Sequence, residues 1–410
     1  MTSQPFSRRP LRIVVGATTY PPDVNGAANF GHRLATGLSE RGHDVHVVCH
    51  STDRQARIEV EDGVTVHRVP SYGSPFHPSI RGILPWQAAQ ADRLVAEIQP
   101  DVVHVQSHFF ICRGLINAAR RRNIGLVATN HFMPENIFGY FKVPRFLQHA
   151  AGRVLWRNLV KHYREAQLVT APTPRAVQLL QDNGFLDLAL PVSCGIDVER
   201  YRRRARRYRK QHPDPATRTV LFVGRLDEEK HIDDLLRAMA LLRTEAPTRL
   251  EIVGDGSKRA AYEHLAAQLG IADRVHFHGY LSDDEVLEAY ARADLFCMPS
   301  IAELQSLATM EAMSAGTPVV LANAMALPHL VQPGQNGWLF PPRDVHALAS
   351  AIDDVIGDRA TIDRMGAASE RLVSRHDIGE ILGRFEAIYH HVTDPESTVE
   401  LDEIRTELAS

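Results

Sequence analysis

The chain has 410 residues, 44% of them apolar, with 46 basic side chains, 49 acidic side chains and four cysteines. That length is too great for one ordinary core and predicts two or three domains of a soluble globular protein. No apolar run approaches the roughly 20 residues that cross a bilayer, Met1 to Pro10 lacks a signal-peptide core, and Cys49, Cys112, Cys194 and Cys297 have no metal-ligand spacing, so a cytoplasmic chain without zinc or structural disulfides is expected.

Charge is divided unevenly along the chain. Residues 1–212 carry 29 Lys and Arg against 16 Asp and Glu, whereas residues 213–410 carry 17 against 33. A basic first half suggests an anionic partner there, whether membrane, nucleic acid or substrate.

In chain order, Leu11 to Gly16 reads as a buried strand and Ala28 to Arg41 as a helix. Strand-like runs follow at Val45 to Cys49, Val64 to Val69, Val102 to Gln106, Leu126 to Thr129 and Leu168 to Ala171. A second series comprises Thr219 to Val223, Leu250 to Val253, Val275 to His278, Leu295 to Met298 and Pro318 to Leu321. Alternation of this kind predicts an α/β fold of two Rossmann-like, doubly wound domains facing a central cleft. The expected divisions are residues 1–195, a basic linker over 196–218, residues 219–375, a C-terminal helix over 376–392 packing back on the first domain, and an acidic tail over 393–410.

Several strand ends carry chemistry. In Tyr20-Pro-Pro-Asp-Val-Asn-Gly26-Ala-Ala, small residues before a helix let backbone amides approach a phosphate, although a plain turn reads the same way. After the first strand of the second series, Gly224 permits a tight turn, and Arg225 and Lys230 can converge on a diphosphate; two surface cations are the plainer alternative. Gly254-Asp-Gly256 supplies another close strand-to-helix turn, and Tyr280 and Leu281 suit a nucleobase slot. His131 follows the strand ending at Thr129, where a lone histidine is more often structural.

Glu303 and Glu311 bracket the most informative stretch. The pattern after Pro299-Ser300 places both carboxylates along one helix, about 12 Å apart, with the amides of Gln305, Ser306 and Leu307 between them. That spacing is too long for a retaining-glycosidase carboxylate pair, and it suits a ligand with hydroxyls, then phosphate, then hydroxyls again. A nucleotide-sugar has that order.

These motifs, followed by Glu311-Ala-Met-Ser-Ala-Gly316-Thr-Pro-Val, resemble the donor domain of retaining family 4 glycosyltransferases over most of residues 11–390. The resemblance implies the two-domain glycosyltransferase-B architecture. It implies that Arg225 and Lys230 hold the diphosphate, Glu311 the ribose, and Glu303 with the following amides the transferred sugar, while Gly26 belongs to a loop closing on the donor and His131 faces the sugar. It also implies front-face transfer with retention and no cofactor or metal, in keeping with the absence of any Asp-x-Asp from the sequence. Gln305-Ser306 replaces the aromatic-Gly pair of many relatives, and His231 stands where Gly is usual.

The basic half remains to be assigned. Eight of the eleven residues 200–210 are cations, including Arg202, Arg203, Arg204, Arg206 and Arg207, and Arg153, Arg157 and Lys161 recur among Phe146, Leu147, Val154, Leu155 and Trp156. Both stretches suit an anionic membrane surface, and a solvated charged face or a core-packed helix reads equally from sequence. The resemblance is nearest to branches with diacylglycerol glucosyltransferases and mannosyltransferases, and it implies as partners a UDP- or GDP-sugar and a hydroxyl acceptor. That acceptor is either a lipid of diacylglycerol or phosphatidylinositol type at the inner face of the membrane or, for a soluble transferase, a small molecule or polysaccharide precursor. Nucleic acid is the rival partner, and it would leave the donor motifs without purpose.

Overall fold

A computed structural model describes residues 9–23, 25–73, 81–82, 88–134, 144–212 and 217–394. Residues 395–410, most of the expected acidic tail, lie outside the described residues. The chain divides into two compact units, residues 1–193 with 381–410, and residues 194–380.

The first unit is built on β1 (Arg12–Gly16), β2 (Asp44–His50), β3 (Arg57–Glu61), β4 (Val64–Val69), β5 (Tyr72–Gly73), β6 (Arg81–Gly82), β7 (Val102–Val105), β8 (Gly125–Thr129), β9 (Leu168–Ala171) and β10 (Ala189–Pro191). Eight of these form one sheet in the order β10-β9-β8-β7-β1-β2-β4-β3, parallel except for β3 against β4. Its helices are α1 (Gly26–Glu40), α2 (Ala88–Ile98), α3 (Phe110–Arg121), α4 (Arg145–Tyr163) and α5 (Pro174–Asp182). Continuous Val and Ile runs form the central strands because helices cover both sheet faces; β7 is buried at every position. Helix starts follow capping chemistry: Asn25 accepts from the Ala28 amide at α1, and Thr173 precedes Pro174 at α5.

The second unit holds α6 (Val198–Gln211), β11 (Arg218–Val223), α7 (Ile232–Ala240), β12 (Thr248–Val253), α8 (Arg259–Gln268), β13 (Val275–Gly279) and α9 (Asp283–Arg292). It continues through β14 (Leu295–Met298), α10 (Leu307–Ser314), β15 (Val319–Ala322), β16 (Gly337–Phe340), α11 (Val345–Ile356) and α12 (Arg359–Val373). All six strands are parallel, in the order β13-β12-β11-β14-β15-β16. The order reverses between β11 and β14, which opens a crevice at their carboxyl ends.

One expectation about organisation changes. Residues 196–218 do not form a linker: α6 belongs to the second unit, where Val198 and Ala205 are buried and Tyr201 packs edge-on against Tyr290 of α9, ring centroids 5.5 Å apart. The last helix, α13 (Ile378–Thr393), enters the first unit from Ile381 onward, with Glu386 accepting from Arg41 at 2.6 Å and meeting His43 Nε2 at 3.0 Å.

Candidate functional site

In the second unit the loops leaving β11, β12 and β13 stack on one another. The Gly224 amide donates to the Val253 carbonyl, the Gly254 amide to the Gly279 carbonyl and the Leu226 amide to the Asp255 carbonyl, at 2.8–3.0 Å. Glycine is required at two of these crossings: a Cβ on Gly254 would lie 2.0 Å from the Gly224 carbonyl oxygen, and one on Gly256 would lie 2.6 Å from the Leu226 amide nitrogen. Tyr280 follows this stack 71% exposed, and Leu281 is half-buried.

Arg225 and Lys230 are held by acids. Arg225 donates to Asp227 at 2.8 Å and to Glu229 at 3.1 Å, and Asp227 is itself fixed by the amide and hydroxyl of Ser257. Lys230 donates from its ammonium to Glu303, 73 positions away, and both side chains are mostly buried, 14% and 12% exposed. The residue after Lys230, His231, has φ 48°, the left-handed region that favours glycine, so this departure from the family pattern keeps the glycine-like backbone at a conformational cost.

Glu303 and Glu311 do not share a helix. Ser306 is the N-cap of α10, accepting from the Thr309 amide at 3.3 Å and the Thr309 hydroxyl at 2.7 Å, so Glu303 sits in the preceding loop and Glu311 is the fifth helical residue. The spacing along one helix expected for these carboxylates therefore does not apply. Their separation is set by a loop and a helix turn, and the first-turn amides of Leu307 and Ala308 have no acceptor within their own helix. Gln305 turns away from solvent to accept from the Cys194 amide at 2.8 Å, and Glu311 accepts from the Tyr290 hydroxyl at 2.8 Å. Tyr290 was not singled out from the sequence; its signal is a tyrosine in an otherwise apolar helix stripe.

In the first unit Gly26 opens α1, and His131 lies beyond β8 with its ring 4.8 Å from that of Phe30 of α1. Burial pulls the His131 imidazole down to about 4, so near neutrality it is uncharged and acts as a hydrogen-bonding group rather than a cation. Sequence reasoning missed the neighbouring polar end of β7. Gln106 and His108 are 5% and 0% exposed, and neither amide atom of Gln106 nor either ring nitrogen of His108 has a hydrogen-bond partner among the described residues. The sequence signal was present: Gln-Ser-His directly follows the strand Val102–Val105.

The basic stretches separate. On α6, Arg202 and Arg203 pair with Glu199, Arg204 with Glu288 and Arg206 with Glu370, so four of the five arginines expected to meet an outside anion already face acids of their own unit; Arg207 is exposed. On α4, Trp156 is buried, whereas Arg153, Val154, Arg157 and Lys161 line an exposed face with Phe146 and Leu147. Among the described residues, His231, Asp233 and Asp234 lie close enough together to hold a metal ion, but the Arg343 guanidinium occupies that place, 2.7 Å from His231 Nδ1 and 3.3 Å from each carboxylate.

Comparison with known proteins gives the family and the fold. Residues 24–200 match the family described as Glycosyltransferase Family 4, and residues 205–372 match Glycosyl transferases group 1. The chain is 30% identical over 391 residues to a GDP-mannose-dependent alpha-mannosyltransferase of Mycobacterium tuberculosis, covering 92% of this chain and 97% of that one. It is 28% identical to the sulfoquinovosyl transferase SQD2 of Arabidopsis thaliana, covering 90% and 71%. Among solved structures, the sucrose-phosphate synthase of Thermosynechococcus elongatus superposes with a TM-score of 0.77 at 22% identity over 93% of this chain and 99% of that one.

Proposed function

Since the chain belongs to glycosyltransferase family 4 and has the glycosyltransferase-B fold, we propose that it moves a hexose, with retention and without a metal, from a UDP- or GDP-sugar to the hydroxyl of a membrane lipid. The observation that carries the donor half of this reading is the Lys230–Glu303 pair at the carboxyl ends of β11 and β14. An ammonium has three donors, so Lys230 can keep Glu303 and still contact a diphosphate oxygen as negative charge develops on it. Arg225, preset by Asp227 and Glu229, adds a second cation to the diphosphate, and the α10 amides add a positive helix end. Glu303 takes sugar hydroxyls, and Glu311, oriented by Tyr290, takes the ribose.

In this reading the bond from the anomeric carbon to the diphosphate oxygen breaks. The acceptor oxygen bonds to the same face, and its proton passes to the departing phosphate. Neutral His131 positions a hydroxyl during that step. The α4 face supports a lipid acceptor, because exposed Phe146, Leu147 and Val154 interleave with Arg153, Arg157 and Lys161 as an interfacial helix requires.

The test is nucleotide release. The chain is incubated with UDP-glucose or GDP-mannose and vesicles containing diacylglycerol or phosphatidylinositol, and product lipid is followed together with UDP or GDP. Transfer from either donor with retained anomeric configuration is expected. Transfer only to a soluble acceptor would remove the lipid part, and inverted product would remove the mechanism.

A further inference from the structure

At the amino ends of β14 and β15, on the edge of the second sheet opposite Glu303, α6 and α12 enclose a cavity of about 610 Å³. Its walls carry five guanidinium groups, those of Arg202, Arg206 and Arg209 from α6 and of Arg359 and Arg371 from α12. Three carboxylates face them. Arg359 takes Asp294 at 2.8 Å and Asp363 at 3.0 Å, while Arg202 and Arg206 share Glu370 at 3.4 and 3.5 Å. Arg209 spends its donors on the main-chain carbonyls of Ala315 and Gly316, at 2.5 and 3.0 Å. Glu199, outside the lining, also pairs with Arg202 at 3.2 Å, so five guanidinium groups meet four carboxylates and a small surplus of positive charge remains in a concave place.

The cavity floor is shaped around these groups. Gly316 has φ 72°, and a Cβ there would lie 2.7 Å from the Glu370 carboxylate and 3.0 Å from the Arg209 guanidinium, so any side chain would push both out of position. We propose that this cavity is a second anion site, separate from the donor site, that takes a small phosphorylated metabolite. Guanidinium forks match phosphate oxygens two at a time, and the volume falls within the range of small-molecule sites. Helix α10 joins the two places: Arg209 caps its carboxyl end, and Glu311 lies one turn earlier. An anion that draws on Arg209 acts on the cap of the helix that carries Glu311.

The probe is inorganic pyrophosphate, titrated calorimetrically into the full chain and into two variants. Arg225→Ser weakens the donor side, and adding Arg206→Ser with Arg371→Ser to that same chain weakens the cavity at exposed positions where the fold is retained. One equivalent is expected to bind the Arg225→Ser chain, and the triple variant is expected to lose that binding by about tenfold or more. Binding that vanishes with Arg225→Ser, survives in the triple variant, or never occurs at millimolar pyrophosphate would overturn the site. The titration requires no turnover, so it decides the cavity even where no sugar transfer is found.

Discussion

Lys230 on the loop after β11 and Glu303 on the loop after β14 form an ion pair across the point where the strand order of the second sheet reverses. Removing one partner strands a mostly buried charge and also deletes a group proposed to hold the diphosphate or the sugar. Lys230→Met is expected to lower kcat by about 10²–10³ and to cost roughly 1–3 kcal/mol in urea unfolding. Lys230→Met with Glu303→Gln should recover part of that stability and none of the activity. A double variant no more stable than the single one would mean that the pair does not couple.

Tyr290 and Glu311 make a separate prediction. The phenol donates to the carboxylate from α9, so Tyr290→Phe removes that hydrogen bond from Glu311. With Glu311 on the ribose, donor KM should rise about tenfold while kcat changes little, as loss of one hydrogen bond to a charged group implies. Steady-state kinetics with the donor varied would check this, and an unchanged KM would move the ribose elsewhere.

Most strands of the two sheets were legible because helices bury them on both faces and their Val-rich runs are continuous. Strands β3, β10 and β16, each at a sheet edge, were not read; β3 is a strand of alternating charge whose Ile58 and Val60 stay 70% and 75% exposed. Helix α6 was hidden by its own cations, which mask the stripe of Val198, Tyr201 and Ala205 that packs it against α9. The start of α10 was misplaced because Ser300 and Ser306 are both plausible caps in sequence, and only Ser306 receives the Thr309 amide. The donor motifs could be read from their order at strand ends. The contacts between them join residues 21 to 111 positions apart, which no local pattern encodes.

Buried histidines set the response to acid. Burial pulls the His108 imidazole down to about 3, whereas an unfolded chain takes up that proton near 6.5. The sign follows: stability is complete above about pH 6.5 and falls as pH drops toward 3, at about 1.4 kcal/mol per pH unit for each such group. His108→Leu removes the proton from the balance, and His104, also lowered to about 3, remains in the variant. Urea unfolding between pH 4 and 6.5 should therefore show a shallower pH dependence in His108→Leu by about one proton. An identical slope would show that His108 already titrates normally in the folded state.

Membrane attachment is expected to follow α4 and not α6. Cations held near an anionic surface contribute about 1 kcal/mol each, so replacing Arg153, Arg157 and Lys161 by Ser should weaken binding to phosphatidylserine vesicles roughly a hundredfold at low salt. Arg203 and Arg204 of α6 are engaged with Glu199 and Glu288, and Arg203→Ser with Arg204→Ser should leave vesicle binding within about twofold. Phe146→Ser separates insertion from charge attraction: with this side chain 82% exposed, its loss costs apolar burial in the interface without touching the cations. Vesicle cosedimentation at two salt concentrations distinguishes these terms, because the arginine effect shrinks with salt and the Phe146 effect does not. If the α6 variant detaches while the α4 variant stays bound, the contact face is α6, and the acids that pair its arginines must release them on contact with lipid.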